Sequence, residues 1–145
     1  MPHHILIPTD GSDLSATAVE RALSLAQALS ARVTILTVVE PFRIVTTEVE
    51  QLERTRAEYE RFASEQASRL LSEVESKAKA LGVPCEAVQL KGDHPYKAII
   101  DTAKAKGCDL IAMASHGRGG VSAVLLGSET LKVLTHSKIP VLVYR

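Results

Sequence analysis

The chain carries no excess charge: 17 lysine and arginine residues balance 17 aspartate and glutamate residues. Nucleic-acid binders normally show a basic excess or stripe, so that class is set aside. No stretch of about 20 apolar residues is present, which excludes a membrane-spanning helix. The start, Met1-Pro2-His3-His4-Ile5, has no charged region leading into an apolar one. No secretion signal is therefore expected, and a cytoplasmic location is. Cysteine is scarce. Cys85 and Cys108 lie far apart without ligand spacing, and both read as buried, reduced thiols. His3, His4, His94 and His136 make no zinc-site spacing. The pattern Gly-x-x-x-x-Gly-Lys-Ser/Thr is absent, which removes the P-loop and with it the expectation of a fast ATPase. No nucleophile-base-orienter set is evident. Ser12, Ser15, Ser115, Ser122 and Ser128 are better explained as caps or loop residues. Without a low-complexity tract, a Gly/Ser linker or an internal repeat, residues 1–145 read as one domain.

What is present is an apolar share of 46%, enough for a proper core. Residues 4–9 form a continuous apolar run, as expected for a strand buried on both faces of a parallel sheet. Asp10-Gly11-Ser12 breaks it, and Ser12 can N-cap a helix running to about Ser30. The stripe of that helix is Leu14, Ala18, Ala22, Leu25, Ala26 and Leu29. Residues 32–39 are a β-branched strand. A long helix over 48–81 presents Tyr59, Phe62, Ala63, Leu70, Val74, Ala78 and Leu81 on one face and charge on the other, which reads as solvated. Gly82 and Pro84 end it. A third strand follows at 85–90. Pro95 then opens a helix with core residues Ile99, Ile100 and Ala103, ended by Gly107. Strands at 109–114 and 140–144 complete the chain. Strands alternating with helices imply an α/β fold, a doubly wound five-stranded parallel sheet with helices on both faces. Ligands of such sheets bind beyond the carboxyl ends of the strands, where the strand order reverses.

The segment from Ala114 to Leu131 is the most informative. A helix from Val121 to His136 would bury Gly127 and Ser128 mid-helix, against their preferences. A helix starting at Ser128, with Ser128 as N-cap and Glu129 in the first turn, fits better. Leu131 and Leu134 would then face the core. About a dozen residues are left as a connection, a length that usually signals function or disorder. Val121, Val124, Leu125 and Leu126 can anchor it. A glycine-rich loop leading into a helix N-terminus makes an anion site, and phosphate is the obvious anion. Arg118 can add positive charge. A flexible surface loop is the alternative, and glycines alone do not separate the two.

Ile5-Leu-Ile-Pro-Thr-Asp-Gly-Ser12, Gly92-Asp-His-Pro95 with Ile99, Ser115-His-Gly-Arg118, Leu125-Leu-Gly-Ser128 and Ile139-Pro-Val-Leu-Val143 occur in order over the whole chain. Together they resemble the universal stress protein family. The resemblance implies a Rossmann-like, adenine nucleotide α-hydrolase-like sheet of strand order 3-2-1-4-5. Nucleotide-binding members carry a glycine, two residues, a second glycine, nine residues, then Gly-Ser or Gly-Thr. Here Gly117, Gly127 and Ser128 fit, and Ala114 stands at the first glycine. Alanine serves there unless the position needs positive φ or a close phosphate contact.

By position, the resemblance implies that Asp10 contacts the adenosine part of ATP or AMP. Pro8, Thr9 and the backbone of Val38 would line the adenine pocket. Gly117, Gly127, Ser128 and the backbone of Glu129 would hold phosphates, with Ala114, Ser115, His116 and Arg118 close by. Mg2+ or Mn2+, where present, would ride on the phosphates. The carboxylate of Glu129 would either repel a phosphate or point into solvent. Read on their own, Asp10-Gly11 is a turn former, Val38 sheet core and His116 a solvated loop residue. The resemblance further implies a homodimer paired through the terminal strand Val141–Tyr144, an apolar edge that needs covering. The expected function is a stress-response sensor or switch, with an unidentified regulatory protein partner, rather than an efficient enzyme. The rivals are a dimeric interaction protein without nucleotide and a weak ATPase in which His116 or Asp10 positions water.

Overall fold

A computed structural model describes residues 2–41, 49–117 and 126–145, and of residues 49–54 the backbone only. The elements are β1 (His4–Pro8), α1 (Asp13–Leu29), β2 (Arg32–Val39), α2 (Val49–Ala80), β3 (Cys85–Lys91), α3 (Pro95–Ala105), β4 (Leu110–Ala114), α4 (Ser128–His136) and β5 (Val141–Tyr144). All pairings are parallel, and the strand order is β3-β2-β1-β4-β5. The expected fold is the observed one.

Strand alternation, with helices on both faces, explains why Ile5, Leu6 and Ile7 of β1 are all apolar. Ile5 and Ile7 pack with Val19, Ala22, Leu23, Ala26, Leu71 and Val74, beneath α1 and α2. Leu6 points the other way, onto Leu36, Ile99, Ala103, Ile111 and Val133, beneath α3 and α4. All three are fully buried, and each such side chain contributes ~1.5–3 kcal/mol of transfer free energy. The sheet is thus the middle of three layers. No described helix is long and apolar enough to cross a membrane.

Helix ends follow local chemistry. The Ser12 side chain accepts from Ser15 N, as an N-cap should. Gly82 and Gly107, which follow α2 and α3, both have φ near +71, a region that glycine alone enters freely.

Three helix faces differ from expectation. In α1 the buried residues are Ser15, Ala18, Val19, Ala22, Leu23 and Ala26. Leu14, Leu25 and Leu29 lie half-buried at the margin. The alanines sit at the centre of the contact, which lets the helix approach the sheet closely. In α2 Phe62 is 62% exposed and Tyr59 is exposed too. Burial is instead carried by Ala67, Leu71, Val74 and Ala78. A helix of 32 residues is ~48 Å long, whereas a strand of eight is ~27 Å, so the sheet covers only its second half. In α4 Leu131 and Leu134 are exposed, while Thr130 and Val133 are buried. The N-cap of α4 is Gly127, one residue before Ser128.

Both cysteines are free. Cys108 is buried, whereas Cys85 is only half-buried, because β3 is an edge strand. Burial pushes each thiol up to about 11, so neither is a ready nucleophile. At the amino end of the sheet, the buried His4 places Nε2 2.7 Å from Thr34 Oγ1. Its Nδ1 has no hydrogen-bond partner. Burial first, and the nearby Arg32 second, lower the pKa of this histidine below 6.5.

Candidate functional site

The chain winds from β1 outward through β2 to β3, then returns to the other side of β1 for β4 and β5. The order therefore reverses between β1 and β4, and the loops leaving these two strands meet at the switch point where sheets of this kind take their ligands.

The first loop is tightly bonded. Thr9 N donates to Leu36 O at 2.9 Å, continuing the ladder past β1. The Thr9 hydroxyl lies 2.6 Å from Ser15 Oγ, which ties the loop to α1. Gly11 takes φ of 79, turning the chain without steric cost. Asp10 Oδ1 accepts from Ser12 N at 2.9 Å, so the turn-forming role of this aspartate is realised. Its other oxygen, Oδ2, faces Gly117 so closely that a Cβ on that glycine would overlap it.

The second loop is closed by main-chain bonds. Ser115 N donates to Tyr144 O at 2.7 Å, and Ser115 O accepts from Gly127 N at 2.7 Å. The connection after β4 thus returns to the residue beside which it left. Thr130 Oγ1 donates to Ala114 O at 3.0 Å from within α4. This bond turns Thr130 and Val133 inward, and so leaves Leu131 and Leu134 outside. A Cβ on Gly127 would sit 3.0 Å from His116 Cβ and 3.1 Å from its Cα, too close without a shift of that backbone. Ser115 Oγ lies 3.3 Å from His116 Nδ1. Gly127 N is used by Ser115, but Ser128, Glu129 and Thr130 N–H have no acceptor within the helix, by the geometry of any helix start. These groups and the positive end of the α4 dipole are the kind of donors that suit an anion.

A search of family models matches residues 1–145 to the universal stress protein family. The chain belongs to this family. YxiE, a universal stress protein of Bacillus subtilis, is 32% identical over 149 aligned positions that span all of both chains. The solved universal stress protein UspA from Lactobacillus plantarum superposes with a TM-score of 0.87 at 26% identity, covering 99% of this chain and 97% of that one. A universal stress protein solved in complex with cAMP superposes with a TM-score of 0.72 at 26% identity, covering 99% of this chain and 97% of that one.

In this universal stress protein the residues singled out by sequence fall at the carboxyl end of the sheet. Pro8 ends β1, Thr9 and Asp10 follow it, and Val38 lies near the end of β2. Val38 also packs against the α3–α4 side of the core, so it is sheet core as well. Ala114 ends β4, Ser115 to Gly117 follow, and Gly127 to Glu129 open α4. Ala114 is buried and has no positive φ. Arg118, the loop anchors Val121, Val124 and Leu125, and Glu48 lie outside the described residues. No group of three metal-ligating side chains occurs among the described residues.

The partly exposed Glu129 carboxylate has two partners on the protein. Oε2 accepts from Tyr96 N at 2.9 Å, and Oε1 lies 3.6 Å from Lys132 Nζ. Sequence reasoning missed Tyr96 as its partner. One signal was available: His94, the residue before Pro95, is a weak N-cap type and makes no side-chain cap bond.

Proposed function

We propose that this protein binds an adenine nucleotide, ATP or AMP, at the carboxyl ends of β1 and β4, and acts as a stress-response switch. The observation that carries the reading is the pair of cradles that a side chain would fill. Gly117 leaves room for the Asp10 carboxylate, and Gly127 keeps the α4 N-terminus against the His116 backbone. A carboxylate suits ribose hydroxyls, and N–H groups without an acceptor inside their helix suit phosphate. The cAMP complex of a related protein supports the same ligand class. Asp10 would hold the ribose, Pro8, Thr9 and the Val38 backbone the adenine, and Gly117, Gly127, Ser128 and the Glu129 N–H the phosphates. Mg2+ or Mn2+ would enter with the phosphates. Ligand bound here would alter the surface that a regulatory partner meets.

A homodimer through β5 belongs to the same proposal. β5 is an edge strand of half-buried apolar residues. The exposed Leu131 and Leu134 on α4 favour a second reading, a dimeric interaction protein of this fold that needs no nucleotide. Calorimetric titration with ATP, ADP and AMP, with and without magnesium, separates the two. Binding by wild type and its loss in Gly127→Val supports the switch. Neither heat nor a melting shift at millimolar ligand sinks it.

A further inference from the structure

Glu129 stands in the first turn of α4, and its side chain works on a different helix. Pro95 opens α3 and has no N–H, so Tyr96 supplies the first donor of that helix. The N–H groups of Lys97 and Ala98 reach His94 O at 3.1 and 3.2 Å. Tyr96 N is taken by Glu129 Oε2 at 2.9 Å. The cap that His94 fails to give α3 is thus supplied from α4. The grip extends along one face of α4. Lys132 Nζ lies 3.6 Å from Glu129 Oε1 and 5.4 Å from the Tyr96 ring centroid. The His136 ring stacks at 5.4 Å from the same ring. Positions 129, 132 and 136 share a helix face, so α4 closes on Tyr96 along its length.

We infer that Glu129 is a positioning residue for the phosphate-binding start of α4. This rests on the nucleotide reading above. The carboxylate belongs to the residue whose own N–H is offered to the ligand, so anchoring it to α3 fixes that N–H and those beside it. Two further bonds act together with it: Gly127 N to Ser115 O holds the residue before α4, and Thr130 Oγ1 to Ala114 O holds the residue after Glu129. One contact reaches α3 and two reach the end of β4, which fixes the first turn in both directions. The negative charge is meanwhile directed at the α3 N-terminus and Lys132.

The test compares wild type, Glu129→Ala and Glu129→Gln, titrated with adenosine, AMP and ATP by NMR chemical shift, which reaches millimolar affinities. Removing the acceptor should weaken AMP and ATP by about fivefold, the size of a lost helix cap. Adenosine, which has no phosphate for α4, should bind the wild type and both variants alike, however weakly. Glutamine keeps an acceptor oxygen and should recover most of the loss. An equal loss for adenosine would mean a general structural role and overturn the inference. So would an alanine variant that binds AMP and ATP normally, or a glutamine variant as weak as alanine. Wild type that binds neither AMP nor ATP would overturn the nucleotide reading, and the inference with it.

Discussion

Substituting Gly117 by alanine should separate binding from folding. The glycine is not held at positive φ, so the backbone itself accepts alanine. The obstacle is the Asp10 carboxylate, whose Oδ2 occupies the space a methyl group would need. That oxygen is the far end of a short side chain and can swing away. Swinging gives up the 2.9 Å bond from Ser12 N, which by itself is a loss of ~1 kcal/mol. For a chain of this size that lowers the melting temperature by about 3–4 °C. The effect on ligand should be larger. A carboxylate moved off a ribose forfeits a charge-assisted hydrogen bond of ~1.5–3 kcal/mol, which weakens ATP about 10- to 150-fold. A double-mutant cycle isolates the cause. In an Asp10→Ala background nothing blocks the methyl group, and Gly117→Ala should cost no further affinity. Calorimetry and thermal melting on the four proteins supply every number. Wild-type affinity in Gly117→Ala, or an equal loss in both backgrounds, would refute the reasoning.

Three further outcomes are expected. Ala114→Gly, which completes the glycine motif, should change ATP affinity by less than about twofold, because Ala114 has no positive φ; it should lower stability by ~0.5–1 kcal/mol through backbone entropy, read by urea denaturation. Val143→Pro should convert the proposed dimer to monomer in light scattering: Pro140 O and Tyr144 O face β4, so the alternation of the strand turns the Val143 N–H outward, and its loss spares the sheet's own ladder. For His4, the folded pKa lies below 6.5 because of burial, then Arg32, opposed by the Lys106 carbonyl, Asp109 and Glu86. The unfolded chain therefore binds the proton more readily. Stability should be full above about pH 6.5 and fall as pH drops from there through the folded pKa, with a slope of at most ~1.4 kcal/mol per pH unit. Urea midpoints should show this decline in wild type and a flatter profile in His4→Gln; matching profiles would contradict it.

Element order was legible because each strand announces itself by a short apolar or β-branched run and each helix by its stops. The strand over 32–39 agrees with the observed β2 to the residue. Helix faces were less legible. In α1 the expected stripe had Ala18, Ala22 and Ala26 right but took Leu14, Leu25 and Leu29, which lie at the margin, in place of Val19 and Leu23. In α4 the leucines are exposed because a hydroxyl, that of Thr130, fixes the rotation of the helix by bonding Ala114 O. The candidate site was legible as a set of loops, through Asp10, Gly117, Gly127 and Ser128, but not as contacts between them.

Sequence by itself determined the architecture of this protein. Period-two and period-3.6 patterns and Gly or Pro stops are local, and they suffice to specify alternating strands and helices and hence a parallel sheet. Tertiary structure alone decided that Asp10 meets Gly117 where the strand order reverses, and that Glu129 caps α3. Both contacts join residues far apart in the chain. Their partners are set by the strand order and by the rotation of α4 on the sheet, and neither quantity is encoded in the spacing of neighbouring residues.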